Sequence, residues 1–137
     1  MIIREHTGEK VSSAAEVAQV LRAILETEGT FDQAKEHFWT VGLNVKNAVV
    51  FVDLVSLGTL SSSLIHPRET FRLAVHRGVA ALIVAHNHPS GDTAPSREDI
   101  AITERLKSAG EILGIKVLDH VIISDSCFTS MLEKGYL

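Results

Sequence analysis

The stretch Val79-Ala80-Ala81-Leu82-Ile83-Val84-Ala85-His86-Asn87-His88-Pro89-Ser90-Gly91-Asp92-Thr93-Ala94-Pro95-Ser96-Arg97-Glu98-Asp99 decides the reading of this chain. Its first seven residues form a short apolar run with Gly78 just before it. Such a run fits a buried strand. A loop from Asn87 to Pro95 follows, rich in turn-forming residues. A helix is then expected from about Ser96 to Leu113, with Ile102, Leu106, Ala109 and Leu113 as its apolar stripe and Gly114 as its stop.

Upstream, Ser13 and Glu16 have the spacing of a capping box. Val17, Val20, Leu21, Ile24 and Leu25 follow at helical spacing, and Gly29 is the expected stop. Phe38 to Leu43 and Asn47 to Leu54 read as strands joined by a turn. Thr59 to Ile65 reads as a third, more polar strand, so that the three make an antiparallel meander. Pro67 suits the first turn of a helix that presents Phe71, Ala74 and Val75 to the core and ends at Gly78. Ile115 to Ser124 is another strand, with a short one near Phe128. Trp39 and the Phe residues read as core. The fold class is therefore mixed α/β, a sheet with helices on its two sides. Residues 1–10 are an N-terminal segment and 11–137 a single domain.

Bulk properties narrow the function classes. At 137 residues, 45% hydrophobic and 22% charged, the chain is an ordinary globular domain. No apolar run approaches the ~20 residues that span a bilayer. The N-terminus lacks the basic-then-apolar pattern of a signal peptide, so a cytoplasmic protein is expected. With Cys127 as its one cysteine, the chain has neither a disulfide framework nor a Cys-rich structural zinc site. Cys127 is expected to pack in its apolar surroundings. The formal charge of −4, with Lys and Arg scattered, argues against nucleic acid as a direct partner.

The chemistry is carried by His86, His88 and Asp99. In extended chain, residues i and i+2 share a face, so both imidazoles can reach one ion. Pro89 restricts His88 to extended geometry. Asp99 lies three residues before Ile102, on the apolar stripe of its helix. A carboxylate aimed at a core is costly unless compensated, and a divalent cation would compensate it. Two histidines and one carboxylate are the ligand set of a catalytic zinc that leaves its fourth position to water. The bland alternative is that Ser96 and Asp99 are only a capping pair and Pro89-Ser90-Gly91 only a turn. Asp92 is a rival to Asp99 as ligand. His120 is either a hydrogen-bonded core histidine or a support behind the site. Asn87 points away from its histidine neighbours and secures the loop. His6, His37, His66 and His76 have no ligand-like spacing.

The spacing of His86, His88, Ser96 and Asp99 resembles the JAMM (MPN+) metallopeptidase signature without a gap. His86-Asn87-His88-Pro89-Ser90-Gly91-Asp92, Leu113 to His120, Glu36 to Trp39 and His66 to Glu69 are similar to the RadC branch, from about residue 11 to the C-terminus. The resemblance implies a cytidine-deaminase-like fold and zinc held by His86, His88 and Asp99. It also implies Ser96 as hydrogen-bond donor to the reacting carbonyl and Glu36 as general acid/base, with Glu69 as rival for that role. Longer RadC-like proteins carry an N-terminal helix-hairpin-helix region, for which this chain has no room, so a DNA-repair role transfers poorly. The expected function is a zinc metallohydrolase that cleaves a peptide or isopeptide bond in a peptide or protein substrate. The alternatives are a non-catalytic binding module of the same fold and a DNA-acting protein.

Overall fold

The apolar run after Gly78 forms strand β4 (Ala81–Asn87), buried along its whole length. A computed structural model describes residues 1–5, 7–58 and 65–137. Around β4 it places five further strands: β1 (Ile2–Glu5), β2 (His37–Leu43), β3 (Val49–Leu57), β5 (Lys116–Ile123) and β6 (Phe128–Ser130). The sheet order is β1-β3-β2-β4-β5-β6. All pairings are antiparallel except β4 with β5, which is parallel. That parallel step needs a crossover, supplied by helix α5 (Arg97–Leu113). The remaining helices are α1 (Ala14–Glu26), α2 (Thr30–Gln33), α3 (Pro67–Thr70) and α4 (Arg72–Arg77).

Alternation along the strands divides the core in two. Trp39, Val41, Ile83, Ala85 and Val121 face α1, whose Val17, Leu21 and Ile24 cover them. Burial of each such side chain contributes about 1.5–3 kcal/mol. Phe38, Leu82 and Val84 face the other way and meet Phe71 and Ala74 from the α3–α4 region and Ile102 and Leu106 from α5. The period of two therefore sends His86 toward α5 and Asn87 toward the opposite face. Gly110 lets α5 lie close to the chain returning into β5, since a Cβ there would sit 2.4 Å from the Ile115 carbonyl oxygen.

The α/β class and the two-sided helical cover agree with expectation, and several details differ. Ile2–Glu5, to which the sequence assigned no element, is the edge strand beside β3. The expected strand at 59–65 falls almost wholly outside the described residues. Helix α1 ends at Glu26 with Thr27 as C-cap, before Gly29. At its start, Ser13 Oγ accepts from the Glu16 N–H as expected. The Glu16 carboxylate, however, accepts from the Ser12 N–H at 2.8 Å, so the reciprocal half of the box is displaced by one residue. The helix after Pro67 breaks at Phe71 into α3 and α4, and this turns Val75 outward. Leu113 and Phe31 are also exposed, and Cys127 lies exposed in the turn between β5 and β6 instead of packing. No helix among the described residues is long and apolar enough to cross a membrane.

Candidate metal centre

His86 is the penultimate residue of β4, and its side chain is almost completely buried on the α5 face. His88 follows just beyond the strand. Its backbone N–H donates to the Ile123 carbonyl, which extends the β4–β5 ladder and holds the residue in line with His86. The two Nε2 atoms are 2.9 Å apart. Asp99 enters from the first turn of α5, with Oδ1 3.1 Å from His86 Nε2 and Oδ2 3.2 Å from His88 Nε2. Ligand atoms spaced tetrahedrally about an ion at 2.0–2.1 Å would lie about 3.3 Å from one another. The two histidine nitrogens come within a few tenths of an ångström of that spacing, Asp99 meets each of them through a different oxygen, and with one atom from each residue all three lie within 4.8 Å of one another, a group able to hold a metal ion.

Asp99 also completes a capping box. Ser96 Oγ accepts from the Asp99 N–H at 3.0 Å, and Asp99 Oδ2 accepts from the Ser96 N–H at 2.8 Å. Capping and facing the histidines are therefore compatible roles for one carboxylate. The buried face of α5 runs Asp99, Ile102, Thr103, Leu106 and Gly110, so this acid sits on an otherwise nearly apolar stripe.

Electrostatics follow from this crowding. Burial alone would raise the Asp99 carboxyl, but hydrogen bonds from the Nε2–H groups of the charged, doubly protonated forms of His86 and His88 outweigh it and hold the group well below the usual carboxylate range. His88 is raised above 6.5, chiefly by its hydrogen bond to Asp99, against the opposing effect of burial. His88 Nδ1 lies 2.7 Å from the Asp92 carbonyl oxygen. A carbonyl can only accept, so in the neutral ring the His88 proton belongs on Nδ1 and the Nε2 lone pair faces the cluster, while the charged ring donates from Nε2 to Asp99 as well. Pro89, Ser90 and Gly91 do form the turn that carries this loop. The Asp92 carboxylate caps the turn through the Ala94 N–H and takes no part in the cluster.

The cluster lies in a cleft of about 500 Å³ that is also lined by Glu36, Ser96, Pro89, Ser90 and Ile102. Glu36 arrives there because β2 runs antiparallel to β4. Phe38 pairs with His86, which brings the start of β2 beside the end of β4. Glu69, the rival acid, stands more than half exposed on α3 and does not line the cleft.

Two further histidines, His37 and His120, are buried in polar networks. His37 is fully buried, between Glu28 (2.6 Å from Nε2) and the Lys35 carbonyl oxygen (2.8 Å from Nδ1). Asn87 links this segment to the ligand strand. Its Oδ1 accepts from the His37 N–H at 2.5 Å, and its Nδ2 donates to the Lys35 carbonyl at 3.0 Å, so its bonds flank Glu36 on both sides. His120, fully buried on β5, lies 2.7 Å from His86 Nδ1. Burial holds its pKa well below the ordinary 6.5, reinforced by the neighbouring His86. His120 is therefore a hydrogen-bonded core histidine, and the group it bonds is a member of the cluster. Thr103, 2.6 Å from His120 Nδ1, went unnoticed in the sequence. Its signal is a polar residue four positions after Asp99 on the same buried stripe.

The profile of the RadC-like JAB domain matches residues 11–136. A UPF0758 protein of Desulforudis audaxviator is 57% identical over 112 residues, covering 82% of this chain and 48% of that protein. One of Moorella thermoacetica is 58% identical over 103 residues, covering 75% of this chain and 45% of its own length. The Staphylococcus haemolyticus relative is 46% identical over 127 residues, 93% of this chain and 54% of that protein. The chain spans about half the length of these curated relatives. By this match along nearly its whole length, the chain belongs to the RadC-like JAB domain family.

Proposed function

We propose that the protein is a zinc-dependent hydrolase of a peptide or isopeptide bond, with His86, His88 and Asp99 as the metal ligands. The observation that carries this reading is the convergence of two imidazole Nε2 atoms and one carboxylate at 2.9–3.2 Å on the wall of a cleft that Glu36 and Ser96 also line. Two nitrogen donors and one carboxylate suit zinc. Bound there, zinc supplies Lewis-acid polarisation of a carbonyl and lowers the pKa of a water from 15.7 to about 7.

The chain's own residues divide the remaining work. Glu36, held by the Asn87 bonds on either side, accepts a proton from the attacking water and returns it to the leaving amine. Ser96 Oγ already accepts from the Asp99 N–H, so its hydroxyl proton remains available for the oxyanion. The net charge of −4 and the scattered basic residues favour a peptide or protein substrate over nucleic acid.

The test pairs metal analysis with turnover. Zinc-replete wild type should hold about one zinc per chain, as three-ligand catalytic sites do. Glu36→Gln should keep that zinc and lose roughly 10²–10⁴-fold in rate on whichever member of a peptide and isopeptide panel the wild type cleaves. No bound zinc ends the metal reading. Undiminished turnover removes Glu36 from the mechanism, and zinc without turnover on any substrate leaves a metal-bearing binding module.

A further inference from the structure

One ligand of the cluster is connected through buried side chains to the backbone of another. The Thr103 hydroxyl donates its proton to the Asp99 carbonyl oxygen at 2.7 Å. A carbonyl cannot donate, so that proton is committed and only the lone pairs of Thr103 Oγ remain. His120 Nδ1, 2.6 Å away, must therefore be the donor in the next bond. A neutral imidazole carries one ring proton, which leaves His120 Nε2 bare. His86 Nδ1 faces that nitrogen at 2.7 Å and must donate to it. In the neutral ring, the form that binds a metal, the proton of His86 is thereby fixed on Nδ1, and its Nε2 lone pair points at His88 and Asp99. His120 and Thr103 are fully buried, and the Phe38 and His120 rings meet in a T-shaped contact with 6.0 Å between their centroids, so bulk solvent does not reach the chain of bonds.

We propose that Thr103 and His120 are positioning residues for metal binding: a relay from the Asp99 carbonyl through Thr103 and His120 sets the tautomer and ring orientation of His86. This rests on His86 being a metal ligand. His88 obtains the same result locally, from the Asp92 carbonyl four residues on in its own loop. His86, enclosed between α5 and β5, has its Nδ1 against a second histidine, a partner that can either accept or donate. Thr103 removes that ambiguity. Without its hydroxyl, His120 can shift its proton to Nε2 and donate to His86. The His86 proton then moves to Nε2, where the lone pair for the metal is needed.

The experiment uses the full chain, stripped of metal, and zinc ion alone as probe, titrated against a chromophoric chelator. Thr103→Val keeps the shape of the side chain and deletes the hydroxyl, whereas Thr103→Ser keeps the hydroxyl. Valine should weaken zinc binding about 10–100-fold, the range for loss of a group that orients a ligand. Serine should bind like wild type. Imidazole ¹⁵N spectra of the wild type should show His120 protonated on Nδ1 and bare on Nε2, a readout that needs no variant to fold. The proposal is overturned if valine binds zinc within about twofold of wild type, if serine loses as much as valine, or if His120 carries its proton on Nε2. A wild type that takes no zinc at all is a different result, and it removes the metal site itself along with the relay.

Discussion

Replacing Asp99 with asparagine separates the two roles its carboxylate can play. In the metal-free protein the amide can occupy the same place. Its carbonyl oxygen takes the position of Oδ2 and accepts from the Ser96 N–H, now bonded at 2.8 Å. Its NH₂ takes the position of Oδ1 and donates to the His86 Nε2 lone pair, now 3.1 Å away. The helix cap survives, and what the metal-free protein loses is the attraction between the carboxylate and the charged histidine forms, so each variant's zinc shift is read from its own metal-free melting temperature. Zinc should expose the difference, because an amide is a poor substitute for an anionic donor. At a free zinc concentration 100 times Kd, wild type gains about 2.7 kcal/mol. Over 137 residues, an unfolding entropy of roughly 2.1 cal/mol/K per residue gives about 0.29 kcal/mol/K. The wild-type melting temperature should therefore rise by about 9 °C, and that of Asp99→Asn by less than about 2 °C at the same zinc concentration. Thermal denaturation followed by dye fluorescence reads both numbers. Asp99→Ala adds a contrast: it loses the cap as well and should melt about 3 °C below Asp99→Asn without metal, from a cost near 1 kcal/mol. If Asp99 only caps its helix, asparagine will leave the zinc shift unchanged, and the full zinc shift in Asp99→Asn would refute its role as a ligand.

Two further outcomes follow from the surroundings of the cluster. His88 is raised above 6.5 by its bond to Asp99, so its proton competes with zinc over a higher pH range than for a free imidazole. Zinc affinity should be full above that raised value and fall by about tenfold per pH unit below it. A chelator titration at several pH values measures this, and a break at or below 6.5 contradicts it. Asn87→Ala deprives the buried His37 N–H of its acceptor and should destabilise the fold by about 1–3 kcal/mol in urea denaturation. A loss below about 0.5 kcal/mol would show that the link beside Glu36 is idle.

What could be read from the sequence depended on how far apart the interacting residues lie. The strand through His86 is a local pattern of apolar residues, and the shared face of His86 and His88 follows from the period of two. The approach of Asp99 follows from helical spacing to Ile102, and the Ser96–Asp99 box was legible for the same reason. The edge strand Ile2–Glu5 was not legible, because four half-exposed residues acquire an identity only by pairing with β3. The bond from His86 to His120 spans 34 residues and depends on the parallel register of β4 and β5. Val75 was misplaced because the break at Phe71 resets the helical phase, and no proline or glycine marks that break.

Sheet order explains why the candidate site draws on three separated stretches of chain. Because β4 and β5 are parallel, the connection between them must climb back over the sheet. The helix that does so begins at the end of β4, where the two histidines emerge, and its first turn delivers both Asp99 and Ser96. Because β2 is antiparallel to β4 on the other side, the residue preceding β2 is brought to that same end, and that residue is Glu36. Glu69 has no such path, since α3 packs against the α5 face and leaves its carboxylate toward solvent. β4 is the strand at which the sheet changes from antiparallel to parallel pairing, and the cleft lies at its carboxyl end. Open α/β sheets commonly place their binding sites outside the carboxyl ends of their strands. Which of the two glutamates lines the cleft is thus a consequence of strand direction, which the spacing of the His-x-His and Ser-x-x-Asp residues alone does not encode.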